Sequence, residues 1–375
     1  MPTSHPADPA FAQLQEIVAR LIGQARRPHP LVVTAYMPAA FGDTYPALYL
    51  RDFTYMVESA PEFIPVEHGR AILDLFVAQM SPEGLCPERI GNDGTVFYVC
   101  HGGRPAADPP LFLLKLCAAH LRQGGDPAFI KSLLPALART LGTAPVEAET
   151  GLIWIEPAAP HTAYGFTDSI AITGRHLFCS LLRLEACEIL ADLCGRFGAD
   201  AAPWRREAAL IRANLGLLWS PEHDLFLAGS HDGRQADVWG SAYACAIDAV
   251  DGARRDKIAA SLLARREQYL WRGQVRHLLL PEFWPRLIGA EEWAGPGKFQ
   301  NGPYWGTATG WVAEALEHAE PGRGLALLRE LVADFTAHGV WECIGKDGYT
   351  RVAGNLSSAC LPYASWKKLQ AQSAR

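Results

Sequence analysis

Asp108-Pro-Pro-Leu-Phe-Leu-Leu-Lys-Leu-Cys-Ala-Ala-His-Leu-Arg-Gln-Gly-Gly-Asp126-Pro-Ala-Phe-Ile-Lys-Ser-Leu-Leu-Pro-Ala-Leu-Ala-Arg-Thr-Leu141 is the stretch that decides the fold class. Apolar residues recur at three and four positions in Pro110–Leu121 and again in Phe129–Leu141, the period of a helix with one buried face. Each run is preceded by Asp-Pro, which places an N-cap acceptor before a proline whose missing N–H costs nothing in the first turn. Between them lies only the turn Gln123-Gly-Gly-Asp126. Two helices joined so tightly must lie side by side and antiparallel.

Working outward, the same period returns in Phe11–Ile22, Leu50–Ala60, Val66–Met80, Arg175–Phe197 and Pro203–Leu218. It continues in Ala236–Ala249, Ala253–Tyr269, Tyr304–His318, Gly322–Ala337 and Ser357–Leu369. That makes about twelve helices, and the segments between them alternate between short turns and long loops. A ring of helical hairpins predicts such alternation. The expected architecture is therefore all-α, an (α/α)6 toroid of six inner and six outer helices with a cleft at the long-loop end. Small β-hairpins belong in those loops, as in Trp341-Glu-Cys-Ile-Gly-Lys-Asp-Gly-Tyr349 with its Asp-Gly turn. No linker or charge run divides the chain, so residues 1–375 read as one domain.

Composition narrows the function. Apolar residues make up 49% of 375, enough for one large core and too many for a disordered chain. A formal net charge of -6 disfavours nucleic acid or an anionic membrane as partner, because both require a basic face. No apolar run is long enough to span a bilayer, and Met1–Ala10 is Pro-rich and polar, without the pattern of a secretory leader. The 9 cysteines are scattered, odd in number and without a C-x-x-C pair, which argues for free thiols in a reducing compartment, the cytoplasm. Metal and cofactor motifs are missing as well: no H-E-x-x-H, Walker loop, G-x-G-x-x-G or G-x-S-x-G occurs. Glu282 with Glu291 and Glu292 reads as a solvated loop, so neither metal nor cofactor is expected.

Chemistry-bearing residues concentrate in the long loops. Trp154, Tyr164, Phe166, Trp239, Tyr304, Trp305 and Trp341 sit in loops or at helix starts. Sugar rings have apolar faces edged by hydroxyls, so aromatic platforms beside carboxylates and amides suit a small carbohydrate; rings that simply pack loops onto helices are the competing explanation. Arg51-Asp52 opens a helix, where the pair can grip neighbouring sugar hydroxyls or Asp52 can serve the helix dipole. Asp168, between Phe166 and Ile170, has the apolar surroundings that keep a carboxyl protonated, or it caps a helix. Phe299-Gln300-Asn301-Gly-Pro-Tyr304-Trp305 combines amides with ring faces. Glu342, in a strand-like segment between apolar neighbours, needs either a chemical purpose or a partner such as Arg351.

These stretches resemble the six-hairpin glycosidases. The similarity is greatest to the inverting group of trehalases, processing α-glucosidases, glucosylglycerate and mannosylglycerate hydrolases and glucoamylases, and it runs from about Tyr49 to Lys368. The resemblance implies an exo-acting inverting glycoside hydrolase with Asp168 as general acid and Glu342 as general base. It also implies that Arg51 and Asp52 grip the non-reducing sugar, and that Gln300, Asn301 and Trp305 line the same subsite. Tyr49-Leu-Arg51-Asp52 replaces the tryptophan-led form of the first motif, the chain is much shorter than trehalases, and it lacks the N-terminal β-sandwich of glucoamylases and rhamnosidases.

Three related activities share the toroid. A phosphorylase would keep the acid and replace Glu342 with phosphate-binding residues, and an unsaturated uronyl hydrolase would need a basic sugar site. A sugar 2-epimerase or isomerase of the N-acylglucosamine 2-epimerase type would use a histidine pair, for which His176 and His277 are the candidates.

Overall fold

A computed structural model describes residues 8–289 and 291–373. Most of the N-terminal stretch read for a leader, residues 1–7, lies outside them. The helices are α1 (Pro9–Ala25), α2 (Leu50–Ser59), α3 (Val66–Ala78), α4 (Pro109–Arg122), α5 (Pro127–Leu141), α6 (Leu177–Phe197) and α7 (Ala202–Asn214). They continue as α8 (Val238–Ala246), α9 (Gly252–Ala264), the single turn α10 (Glu291–Ala294), α11 (Thr309–Ala319), α12 (Arg323–His338) and α13 (Leu356–Ser373). The inner helices α2, α4, α6, α8, α11 and α13 each pack on the next, and α13 packs back on α2, so the ring closes. Outside it lie α1, α3, α5, α7, α9 and α12. This is the (α/α)6 toroid that the helical period predicts.

Every long connection runs from an outer helix to an inner one, and every short turn runs the other way. All six inner helices therefore point their N-termini at the long-loop end. Their combined dipoles favour negative charge there. Two small sheets stiffen these loops. One pairs Ala47–Tyr49, Arg89–Gly91 and Val96–Phe97; the other joins five strands, with Tyr304 opposite Ile344 and Cys343 opposite Arg351. The hairpin turning at Asp347-Gly348 is present, and Gly348 takes the positive φ of 90° that the turn requires.

The helical period overreached in three places. The run read to Leu218 ends as an α-helix at Asn214 and continues as a 3-10 turn over Leu215–Leu218. Tyr304 and Trp305, read as helical, form a strand, and α11 starts only at Thr309; the β-forming aromatic pair is held by Val275 and Arg276 on one side and Ile344 on the other. The helix expected to reach Tyr269 stops at Ala264 and continues as a 3-10 turn. Asp126 caps α5 as expected, accepting from Ala128 N–H at 2.9 Å. Asp108 makes no such cap bond. Its two following prolines have no N–H to offer, and its carboxylate turns instead to a buried arginine.

Aromatic rings fill the toroid axis below the long loops. Tyr164 stacks on Phe178 at 4.2 Å between centroids, Phe178 on Tyr243 at 4.8 Å, and Trp311 leans on Tyr243. Trp239 and Trp305, 1% and 0% exposed, meet edge to face nearby. The phenols of Tyr55 and Tyr164 hydrogen-bond at 3.0 Å and Tyr243 donates to Glu185, whereas the buried indole N–H groups of Trp239 and Trp305 have no partner among the described residues. The plug blocks the axis, leaving a closed-ended cleft above it.

Candidate active site

The cleft has a volume of about 240 Å³, and five of the six long connections, with the first turn of α2, supply its walls. Its first wall is the start of α2. Arg51 is 5% exposed, and its Nη1 donates to Asp108 Oδ2 at 2.7 Å, with Glu88 at 3.6 Å and Asp52 at 3.9 Å. A desolvated guanidinium needs such counter-charge. The backbone N–H of Gly165 donates to the same Asp108 oxygen at 3.0 Å. A Cβ on Gly165 would stand 1.7 Å from Arg51 Cζ, so only glycine lets the loop lie across the arginine. Asp52 lines the cleft and accepts from Ser357 Oγ at 3.3 Å. Burial lifts its pKa to about 6, against the pull of Arg51.

The second wall carries Asp168, which closes a 3-10 turn at Gly165–Thr167 and is not an N-cap. Its Oδ1 accepts from Gln300 Nε2 at 2.9 Å and its Oδ2 from Cys100 Sγ at 3.4 Å. Burial raises its pKa, while the charges of His101 and Arg51 and the Gln300 amide act in the opposite direction. Gln300 is fully buried and fully used: its second N–H goes to Gly165 O, and its oxygen accepts from Ser169 N–H and Oγ. The side chain holds the Asp168 loop from behind. It presents nothing to the cleft.

The third wall is the strand Trp341–Ile344. Glu342 is 2% exposed, accepts from the Tyr45 hydroxyl on one oxygen and from Arg351 Nε at 3.1 Å on the other. Its pKa is pushed up to about 7, because burial outweighs the stabilisation of the charged form by Tyr45 and Arg351; the charges of Asp52 and Asp168 add to the rise. The ion pair with Arg351 that competes with a chemical role thus exists, yet both partners face the cleft. The loops behind this wall are held unusually: Phe299 and Val352 adopt left-handed φ values of 46° and 42°. For a β-branched residue that conformation is costly and must be imposed by its surroundings.

Of the residues singled out in the sequence, Arg51, Asp52, Phe166, Asp168 and Glu342 converge on the cleft. Tyr164, Trp239 and Trp305 belong to the plug beneath it, and Tyr304 is buried in the five-stranded sheet. Trp154 pairs with Arg175 in a separate two-stranded ladder. Asn301 is buried against Trp284, bonding its backbone N–H and carbonyl. Trp341, one residue from Glu342 and hence on the other strand face, donates to His338 O. None of these lines the cleft. Its walls are completed by residues the sequence reading did not assign to a site: Tyr45, Tyr49, Arg89, Cys100, His101 and Trp293, with Phe299, Arg351 and Asn355. Phe299 opens the amide-rich stretch quoted from the sequence; Tyr45 and His101 carried no signal beyond lying in long loops. His176 and His277 line a separate void of about 10 Å³, where burial lowers both pKa values to about 3. A sugar cannot enter it.

No family model matches the sequence, and no curated protein matches it. Solved structures do match by shape. A rhamnosidase from Klebsiella oxytoca with rhamnose bound superposes with a TM-score of 0.68 at 13% identity, covering 99% of this chain and 66% of that one. This chain thus spans just under two thirds of the rhamnosidase's length. The GH63 mannosylglycerate hydrolase from Thermus thermophilus in complex with Tris gives 0.68 at 14% identity, covering 94% of this chain and 100% of that one. A glycosidase in complex with glucose gives 0.65 at 14% identity, covering 97% and 99%. The shared fold is the (α/α)6 toroid of six-hairpin glycosidases.

Proposed function

We propose that this chain is an exo-acting, inverting glycoside hydrolase that releases one sugar from the non-reducing end of a small glycoside, with Asp168 as general acid and Glu342 as general base. The observation that carries the reading is that two carboxyls from distant parts of the chain, each desolvated, face one closed-ended cleft but meet different partners. Both oxygens of Glu342 receive strong donors, which suits a group that must be ionised to take a proton from water. Asp168 has one oxygen held by the Gln300 amide, while the other meets only the weak thiol donor of Cys100 and can carry a proton toward the glycosidic oxygen.

In the forward step Asp168 donates its proton to the departing oxygen as that C–O bond breaks. Glu342 removes a proton from the water that bonds to the anomeric carbon from the opposite face, which inverts its configuration. Solvent exchange then returns one proton to Asp168 and takes one from Glu342. Asp52 and Asn355 offer acceptors and donors to sugar hydroxyls, and Phe166 and Trp293 offer ring faces. Structural neighbours described with rhamnose or glucose bound favour a monosaccharide unit as ligand.

A panel of nitrophenyl glycosides and small diglycosides, assayed with and without phosphate, tests the reading. Turnover without phosphate, release of the inverted anomer by proton NMR, and its loss in Asp168→Asn and Glu342→Gln are the expected results. Phosphate dependence, a retained anomer, or wild-type rates in either variant would refute it.

A further inference from the structure

Beside the proposed acid the cleft holds donor atoms that hydrolysis does not use. Cys100 and His101 are consecutive in the long loop ahead of α4, and both face the cleft next to Asp168. One atom from each of the three (the thiol sulfur, an imidazole nitrogen and a carboxylate oxygen) lies within 4.8 Å of the other two. We propose that Cys100, His101 and Asp168 bind a borderline-soft divalent cation, Zn²⁺ by its chemistry, and that the bound ion inhibits by taking the place of the catalytic proton. The inhibition rests on the hydrolase reading; the binding does not.

Geometry supports the site. With Zn–S about 2.3 Å and Zn–O about 2.0 Å, a tetrahedral ion holds sulfur and oxygen roughly 3.5 Å apart. Cys100 Sγ and Asp168 Oδ2 already stand 3.4 Å apart. A nitrogen of the His101 ring lies within 4.8 Å of both, its backbone N–H donates to Thr162 Oγ1 at 3.1 Å, and its ring leans on Trp293. Gln300 orients Asp168 through its other oxygen, the kind of outer-shell support that ligating carboxylates use. The fourth position opens into the cleft, where water completes the tetrahedron.

The donor set also selects the ion. Sulfur, imidazole and one carboxylate suit Zn²⁺ or Cd²⁺, whereas Mg²⁺ and Ca²⁺ seek oxygen alone. Of the nine cysteines Cys100 is the one not buried, so it is the thiol an ion can reach. The nearby guanidinium of Arg51 does not repel the ion unopposed, because Asp108, Glu88 and Asp52 surround it. On binding, the S–H bond of Cys100 breaks, its proton leaves to solvent and the sulfur lone pair bonds the metal; Asp168 gives up any proton it carries in the same way.

Cd²⁺ titration of the whole protein, followed by the ultraviolet cysteinate-to-cadmium band, reads the site without a substrate. One equivalent is expected, with the band lost in Cys100→Ser and Cys100→Ala. Zn²⁺ affinity by calorimetry should fall by about tenfold or more in Cys100→Ser and in His101→Ala, with circular dichroism confirming that each variant folds. No stoichiometric binding, or an undiminished band in either cysteine variant, overturns the site. On a glycoside that the wild type hydrolyses, Zn²⁺ should inhibit and a chelator should restore turnover. Bound Zn²⁺ that leaves the rate unchanged or raises it overturns the inhibition. Failure to hydrolyse any glycoside removes the proposed function and the inhibition together, and leaves the metal site to stand or fall on the absorbance.

Discussion

The plug and the cleft lie one above the other on the same axis and are built from the same residue types, yet they treat them oppositely. In the plug, rings meet rings: Tyr164 on Phe178 on Tyr243, with the Tyr55 and Tyr164 phenols bonded to each other. What it contributes is burial. In the cleft, Phe166, Trp293 and Phe299 pack on rings from behind but line open space beside three carboxyls whose charged forms burial disfavours. Folding would be easier without those carboxyls. A region kept at the expense of stability is the region where activity is expected.

Substitutions on each side should sharpen this contrast. The largest effect belongs to the cleft: Asp168→Asn and Glu342→Gln should each lower kcat by about 10²–10⁴-fold or more while the far-ultraviolet spectrum stays native. Glu342→Gln should also melt higher than the wild type at alkaline pH. The folded protein binds this proton more readily than the unfolded chain, so wild-type stability falls as pH rises from the usual carboxylate range toward about 7. The glutamine variant escapes that loss, and the gap should close in acid. A variant less stable than wild type at every pH would erase the distinction between the two regions.

The plug should respond the other way. Trp305→Ala should cost about 3–5 kcal/mol in urea unfolding, the range for emptying a buried aromatic site. A variant that stays folded and stable but inactive would move Trp305 into the site. Smaller is the pH response: with Glu342 required as the carboxylate, kcat/KM should fall about tenfold per pH unit below about pH 7. A profile flat down to the usual carboxylate range would mean that Glu342 is not the base. At the small end, Trp293→Ala should raise KM several-fold with stability almost unchanged, and Tyr164→Phe should cost about 1 kcal/mol of stability with KM unchanged.

Much of this was legible in the residues. Helical period, Asp-Pro starts and alternating connection lengths specify a ring of hairpins, because each is a local consequence of backbone geometry and burial. Asp168 and Glu342 were legible too, since a carboxylate among apolar neighbours in a long loop demands a reason, and Arg51-Asp52 was legible as a charged pair at a helix start. The aromatic residues misled. A tryptophan at a helix start reads the same whether it faces a sugar or another ring, and Trp239 and Trp305 face rings. Gln300 was read as a sugar ligand, and the structure places it behind Asp168, with every polar atom occupied by protein.

Residue order alone fixes the succession and amphipathic faces of the twelve ring helices, because those follow from interactions between residues three and four apart. Which side chains share the cleft was settled by packing. Tyr45 meets Glu342, and Cys100 with His101 meets Asp168, solely because closing the ring brings loops distant along the chain to one end. Such meetings leave no period in the sequence, since the contacts that make them are set by how the hairpins pack and not by what lies next to each residue.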